Sequence, residues 1–206
     1  EHHVPAIGIN LGRLGFLTDI PLVEVESSLE SILVGGYSLE HRTMLQCDVQ
    51  DAGETVFSGV ALNDIVISKG NTGRLIEFEI RVNGQFVSEP RSDGLIISTP
   101  TGSTAYALSA GGPIIYPDLP VMCISPICPH TLSNRPIILD ENAVIRIASM
   151  DIQESAANFA LDGVISYQLE GSESISITRA SNKLKLIKIQ DFNYFETLHS
   201  KLGWQG

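Results

Sequence analysis

The densest run of groups able to do chemistry lies between Arg91 and Gly112. Arg91, Ser92, Asp93 and Gly94 form a charged turn. Residues 95–98 are apolar without alternation, which predicts a short strand buried on both faces. Thr99, Pro100, Thr101, Gly102, Ser103 and Thr104 then bring hydroxyls, a proline and a glycine together. Residues 105–110 predict one or two turns of helix, closed by Gly111-Gly112. A strand that feeds a Gly/Ser/Thr loop at a helix start presents backbone N–H groups, hydroxyl donors and a partial positive charge, and so suits an anion. The same residue types also make ordinary turns, and Ser103 or Thr104 equally qualifies as a helix cap. No Lys follows the glycine as a Walker A loop requires, and the G-x-G-x-x-G spacing is absent.

A second polar pair, Asn63-Asp64, interrupts an apolar run, with Val60, Ala61 and Leu62 before it and Ile65, Val66 and Ile67 after it. Such groups cost stability when buried unless they are bonded. One reading is a strand end or bulge. The other is a grip on ribose hydroxyls or an adenine edge, because an amide both donates and accepts while a carboxylate accepts two O–H bonds. Arg74, after the turn at 70–73, reads as a strand-edge charge. Arg91 and Asp93 read as a local ion pair, worth little if exposed. Asp162 with Gly163 reads as a hairpin turn. Phe16, after the tight loop at 12–15, reads as a core aromatic. The histidines and cysteines show no metal spacing, and no metal ligand is assigned. Ser103 lacks the Gly-x-Ser-x-Gly elbow of a serine hydrolase.

The elements that must position these groups are mostly strands. Residues 6–10 predict a short strand and 21–34 a helix, with Leu22, Val25, Leu29, Ile32 and Leu33 at helical spacing, Asp19 as start and Gly35-Gly36 as stop. From residue 38 to 49 the period is two, and strand resumes over 56–67 and 75–82. Asn83-Gly84 is a strong hairpin signal. Further strands are predicted at 137–139, 143–148, 159–161, 164–169, 174–178 and 184–189. So many short strands predict a mainly β chain built around a sandwich-like domain. A last helix starts at Asn193, with Glu196 at capping-box spacing, Phe195, Leu198 and Leu202 on one face and Gly203 at its end.

The chain has 206 residues, 43% of them hydrophobic, a net charge of −11 and a pI of about 4.8. That length supports a sizeable core. That charge argues against a nucleic-acid binder, which needs a basic face. An acidic chain that takes an anion must use local donors. Three cysteines in an odd set point to free thiols in a reducing compartment. With no membrane-spanning run and no secretory signal, the expectation is a cytoplasmic protein.

Asp93-Gly94 followed by Thr99-Pro100-Thr101-Gly102-Ser103-Thr104-Ala105-Tyr106 resembles the dinucleotide-binding signature of the NAD kinases. Three stretches agree in the same order: the glycine-rich segment from Gly8 to Asp19, Ala61-Leu62-Asn63-Asp64, where the family usually has Asn-Glu, and Tyr194-Phe195 with Lys201 to Trp204. The resemblance implies a C-terminal, sandwich-like NAD-binding β domain over 37–189. It implies a remnant of an N-terminal α/β domain over 1–36 and a C-terminal helix over 190–206 that returns to it. It implies Mg²⁺- and ATP-dependent phosphorylation of the adenosine ribose 2′-hydroxyl of NAD to give NADP. The substrate-binding positions carried over are Phe16, Asn63, Asp64, Arg74, Arg91, Asp93, Thr101, Thr104, Ala105, Tyr106, Ser109 and Asp162. Asp93 would accept from an amide group, and the turn at Asp162 would reach a neighbouring subunit's site. The family's Gly-Gly-Asp-Gly motif precedes the Gly8 segment. Its catalytic aspartate is therefore expected upstream of Glu1, and these residues alone are expected to bind without turnover. The partners implied are NAD or NADP, ATP and further copies in a homodimer or homotetramer. The alternative is a non-catalytic nucleotide-sensing domain, which the residues upstream of Glu1 would distinguish.

Overall fold

The computed structural model describes residues 4–11, 16–18, 20–70, 74–131, 133–149, 157–169, 172–189 and 193–204. The loop at 12–15, the helix signal Asp19 and most of the turn at 70–73 lie outside the described residues. The chain divides into two compact units, one formed by 1–42 with 183–206 and the other by 43–182.

In the first unit, β1 (Ile9–Asn10) and β2 (Ile20–Pro21) pair in parallel. A 3₁₀ turn (Leu22–Glu24) leads into α1 (Val25–Leu33), and β3 (Tyr37–Arg42) follows. The periodicity over 21–34 does form a helix, but its one buried residue is Ser28, while Leu22, Leu29 and Leu33 are exposed. The rest of this unit comes from the far end of the chain. β17 (Leu184–Ile189) pairs antiparallel with β3, and α3 (Tyr194–Leu202) closes the unit. Asn193 caps the start of α3 with its side chain. The Asn193 side chain accepts from the Phe195 N–H, its amide donates to Glu196 Oε1 at 3.0 Å, and Gly203 terminates the helix at φ 65°. The buried side chains of α3 are Tyr194, Thr197 and Leu198, and Phe195 is exposed.

The second unit begins with β4 (Leu45–Asp51), β5 (Glu54–Ala61), β6 (Asp64–Lys69), β7 (Ile76–Val82), β8 (Gln85–Ser88), β9 (Arg91–Ser92) and β10 (Gly94–Ser98). A 3₁₀ turn (Gly102–Thr104) and α2 (Tyr106–Ser109) follow. Then come β11 (Val121–Ile127), β12 (Ile137–Asp140), β13 (Ile145–Ser149), β14 (Ala157–Leu161), β15 (Ile165–Leu169) and β16 (Ser174–Arg179). Two antiparallel sheets result. One runs β12-β11-β10-β6-β14-β15. The other runs β5-β4-β16-β13-β7-β8, with β9 on β7. A single apolar cluster draws on both sheets, with Leu45, Cys47, Phe78, Ile145 and Ile177 from one and Ile65, Ile67, Leu95, Ile97 and Phe159 from the other. This is the expected sandwich.

The two units are bounded at 42/43 and 182/183, whereas the resemblance implies limits at 36/37 and 189/190. The alternation over 38–49 is two strands, not one. β3 pairs with β17 in a two-stranded sheet of its own, and β4 enters the sandwich after the break at Thr43-Met44. A period of two is blind to a change of partner, because it reports only that alternate side chains face apart.

Three hairpin turns follow from left-handed residue pairs. Ala52-Gly53 lie at φ 48° and 88°, Asn83-Gly84 at 51° and 80°, and Asp162-Gly163 at 49° and 66°. No helix among the described residues is long and apolar enough to cross a membrane.

Candidate functional site

β10 carries the candidate loop, and its surroundings explain its lack of alternation. It is paired on one edge with β6 and on the other with β11, and all five of its residues are buried. Leu95 and Ile97 face the sandwich core. Ile96 faces the other way and packs with Ala107, Ala110, Val66 and Ile127, so α2 folds back over the outer face of the strand from which it came. Ser103 fixes this return. Its Oγ–H donates to Pro100 O at 2.6 Å, and its oxygen accepts the Ile115 N–H at 3.0 Å.

At one end of β10 the register places Ser98 beside Asp64. Between β5 and β6 the chain breaks at Leu62-Asn63, so Asp64 opens a strand and is not the middle of one. The loop crosses this break very closely. The Thr99 N–H donates to Asn63 O at 2.9 Å, and Thr99 Oγ–H donates to Leu62 O at 2.6 Å. A Cβ on Gly102 would stand 1.9 Å from Asn63 O, so only glycine permits the crossing.

Asp64 is 5% exposed. Burial, then the neighbouring Asp162 charge, pushes its carboxyl up to about 6, and a hydrogen bond from the Tyr106 N–H pulls the other way. Asp64 therefore meets the first residue of α2. Asn63, Asp64, Thr101, Thr104, Ala105, Tyr106 and Asp162 are thereby gathered at one end of the β6–β10–β14 strands. Thr101 is buried, and Thr104 Oγ–H donates to Thr101 O at 3.1 Å. Ala105 and Ser109 are exposed, and Tyr106 is 47% exposed.

Arg91 and Asp93 sit at the opposite end of the same strands. From Asp64 to Lys69 a strand rise of about 3.3 Å per residue gives a separation of about 17 Å. The expected Arg91–Asp93 ion pair is not formed. Asp93 pairs with Lys69 across β6, and Arg91 Nε lies 4.0 Å from Glu77 Oε2. β9 pairs with β7, which turns Arg91 toward Glu77 and leaves Asp93 beside β6. Arg74 is exposed at the start of the segment leading into β7. Phe16 belongs to the other unit, with its ring 6.3 Å from that of Tyr194.

Asp162 does more than form a turn. Its Oδ1 accepts the N–H groups of Asn63 at 2.7 Å and Asp64 at 3.0 Å, and its Oδ2 accepts that of Leu62 at 2.8 Å. Three further residues join the site that were not among the sequence candidates: Lys69, Thr99 and Ser98. The Ser98 hydroxyl is buried without a hydrogen-bond partner among the described residues. Thr99 stood inside the signature octet, whereas nothing local marked Lys69 or Ser98. Among the described residues no group of three or more His, Cys, Asp or Glu could hold a metal ion.

The geometry is that of a polar cluster at one end of a β-sandwich, built from a buried carboxylate, an amide, a hydroxyl-rich loop and the start of a short helix. The ATP-NAD kinase C-terminal domain family matches residues 62–189. The chain is 44% identical over 204 residues to an NAD kinase of Nitrosospira multiformis and 46% identical to one of Pseudomonas savastanoi pv. phaseolicola, covering 99% of this chain and 69% of each relative. Its structure is similar to that of yeast NADH kinase in complex with NADH, at a TM-score of 0.91 and 29% identity, covering 98% of this chain and 59% of that one. It is also similar to an NAD kinase from Archaeoglobus fulgidus in complex with ATP, at a TM-score of 0.80 and 28% identity, over 98% and 75%. The chain belongs to the NAD kinase family.

Proposed function

We propose that the whole protein transfers the γ-phosphoryl group of ATP, supplied with Mg²⁺ as part of the substrate, to the adenosine ribose 2′-hydroxyl of NAD. The portion described here would hold the acceptor. The observation that carries this reading is the meeting of Asp64, Asn63 and the Tyr106 N–H at the loop from Thr99 to Thr104. A buried carboxylate beside an amide matches the donors and acceptors of a ribose and an adenine edge.

In this reading Asn63 and Asp64 bond the adenosine half. Thr101, Thr104, Ala105, Tyr106 and Ser109 line it, and Ala105 contributes backbone and close approach only. Asp93, about 17 Å away by strand rise, accepts from an amide group, with Arg91 and Arg74 near the far half. Those residues reach either along one extended dinucleotide or into the site of another copy, and a homo-oligomer with shared sites is part of the proposal.

The contribution of these residues to rate is orientation, presenting one hydroxyl among several to the phosphoryl group. No Gly-Gly-Asp-Gly occurs in the 206 residues, and the group that deprotonates or orients the hydroxyl is assigned there by resemblance. These residues alone are accordingly expected to bind the dinucleotide without turning it over. A cytoplasmic location fits the free thiols and belongs to the same proposal.

The test is calorimetric titration of NAD and NADP into the chain, beside Asp93→Ala. Binding by the parent that is lost in the variant supports the placement. A folded parent that binds neither dinucleotide refutes it, and ATP-dependent NADP formation by the parent refutes the expected lack of turnover.

A further inference from the structure

The segment 62–64 has all of its backbone hydrogen-bonding groups taken, and by only two residues. Thr99 supplies donors to the carbonyls of Leu62 and Asn63. Asp162 supplies the rest: its carboxylate receives the N–H groups of Leu62, Asn63 and Asp64, and its own N–H donates to Asp64 O at 3.0 Å. This is unusual for a turn residue. A carboxylate at a hairpin tip ordinarily bonds within its own turn. Here it reaches a segment almost a hundred positions earlier, at the point where β5 ends and β6 begins.

From this arrangement we infer that Asp162 is a positioning residue for Asn63 and Asp64 of its own chain. The inference rests on the acceptor-site reading given above. It replaces a direct ligand role for Asp162 with an indirect one. Two features make the positioning effective. First, the break at 62–63 has no ladder of its own to hold it, so side-chain acceptors must satisfy its N–H groups. Second, charge-assisted bonds to a carboxylate are shorter and stronger than neutral ones, and three of them from consecutive residues fix the direction in which Asn63 and Asp64 leave the backbone. The Gly102 crossing pins the same three residues from the carbonyl side.

The two Asp162 oxygens offer about four lone-pair sites, and three backbone N–H groups take up most of them. The left-handed conformation at Asp162 (φ 49°) and Gly163 (φ 66°) is what turns that carboxylate back toward the strand ends.

The test is a double-mutant cycle on dinucleotide binding, with Asp162→Asn and Asp64→Ala alone and together, measured by calorimetry with NAD. If Asp162 acts through this segment, Asp162→Asn weakens NAD about tenfold in the parent and clearly less in the Asp64→Ala background, where only its hold on Asn63 still counts. Additive losses would mean that Asp162 touches the ligand itself and would overturn the inference.

A second measurement needs no variant: residue-resolved hydrogen exchange of the parent chain. The Leu62 and Asn63 amides lie outside any strand yet should be as protected as those of β6. Rapid exchange at both would also overturn the inference. A parent chain that fails to bind NAD removes the acceptor-site reading, and with it the positioning role. The exchange result then separates a clamp that exists without that ligand from one that is absent.

Discussion

Asp64 gives the prediction that most directly joins site to stability. Its carboxyl is buried beside Asp162 and rises from an ordinary 3.8 to about 6. For an acid whose folded-state value is raised, the folded state holds the proton more tightly than the unfolded chain. The penalty is then absent below about pH 4 and complete above about pH 7. At 1.36 kcal/mol per unit, ionised Asp64 costs the sandwich about 3 kcal/mol at neutral pH. Replacing it with Asn keeps the shape and an oxygen to accept the Tyr106 N–H, and removes the charge. The stability of Asp64→Asn relative to the parent should therefore rise as pH rises, from near zero at about pH 4 to about 3 kcal/mol at about pH 7.5. Trp204 lies in the other compact unit, so tryptophan fluorescence is the wrong probe. Urea unfolding followed by residue-resolved NMR of the β6, β10 and β14 amides reports the unit that contains Asp64. A carboxyl ¹³C titration of the parent should show a midpoint near 6. A stability difference independent of pH, or one that grows toward acid, would refute the reasoning, because the second result means that the Tyr106 N–H outweighs burial.

Two further predictions concern packing. Gly102→Ala places a methyl against Asn63 O, a backbone atom that cannot retreat because Thr99 bonds it; the variant should lose about 3 kcal/mol or more together with NAD binding, and unchanged thermal unfolding would show the crossing to be looser than described. Of the three free thiols, burial and Asp48 push Cys47 up to about 12, burial raises Cys123, and Cys128 is exposed; an aromatic disulfide reagent should therefore titrate one thiol in the native chain and three in denaturant, and fast reaction of more than one native thiol would contradict the buried core.

What the sequence makes legible here is whatever is encoded within about ten residues. The Asn83-Gly84 and Asp162-Gly163 turns, the helix cap at Asn193, and the loop from Thr99 to Thr104 all announce themselves, because each depends on local backbone chemistry. β11 does not. It is a central strand buried at Met122 to Ile127, so it shows no alternation, and Pro126 argues against a strand. The structure accommodates that proline because β12 pairs only as far as Ile124, leaving β11 beyond that point with a partner on one side. Nor does any local pattern connect Asp162 to 62–64 or Lys69 to Asp93. Those contacts exist because β6 lies between β10 and β14, an order that only the assembled sheet defines.

That sheet order also explains how an acidic chain can suit an anionic ligand. The cations near the candidate residues are few, and two of them face carboxylates: Lys69 meets Asp93, and Arg91 lies near Glu77. Net charge of −11 therefore disfavours binding by long-range attraction. What remains are short-range groups: the Asp64 and Asp93 carboxylates as acceptors and the Asn63 amide, since the loop's hydroxyls and N–H groups are largely bonded within the fold. Such a set discriminates by hydroxyl and amide hydrogen bonds more than by phosphate charge. A site that buries acceptors for a ligand's hydroxyl rejects analogues lacking it far more strongly than an apolar pocket rejects a missing methylene, because the acceptor is left desolvated and unpaired. The burial that, together with the Asp162 charge, costs the fold about 3 kcal/mol at Asp64 is thus the physical source of the selectivity proposed for the site. On the positioning role inferred for Asp162, its bonds to 62–64 and the close crossing at Gly102 hold Asp64 in that buried place.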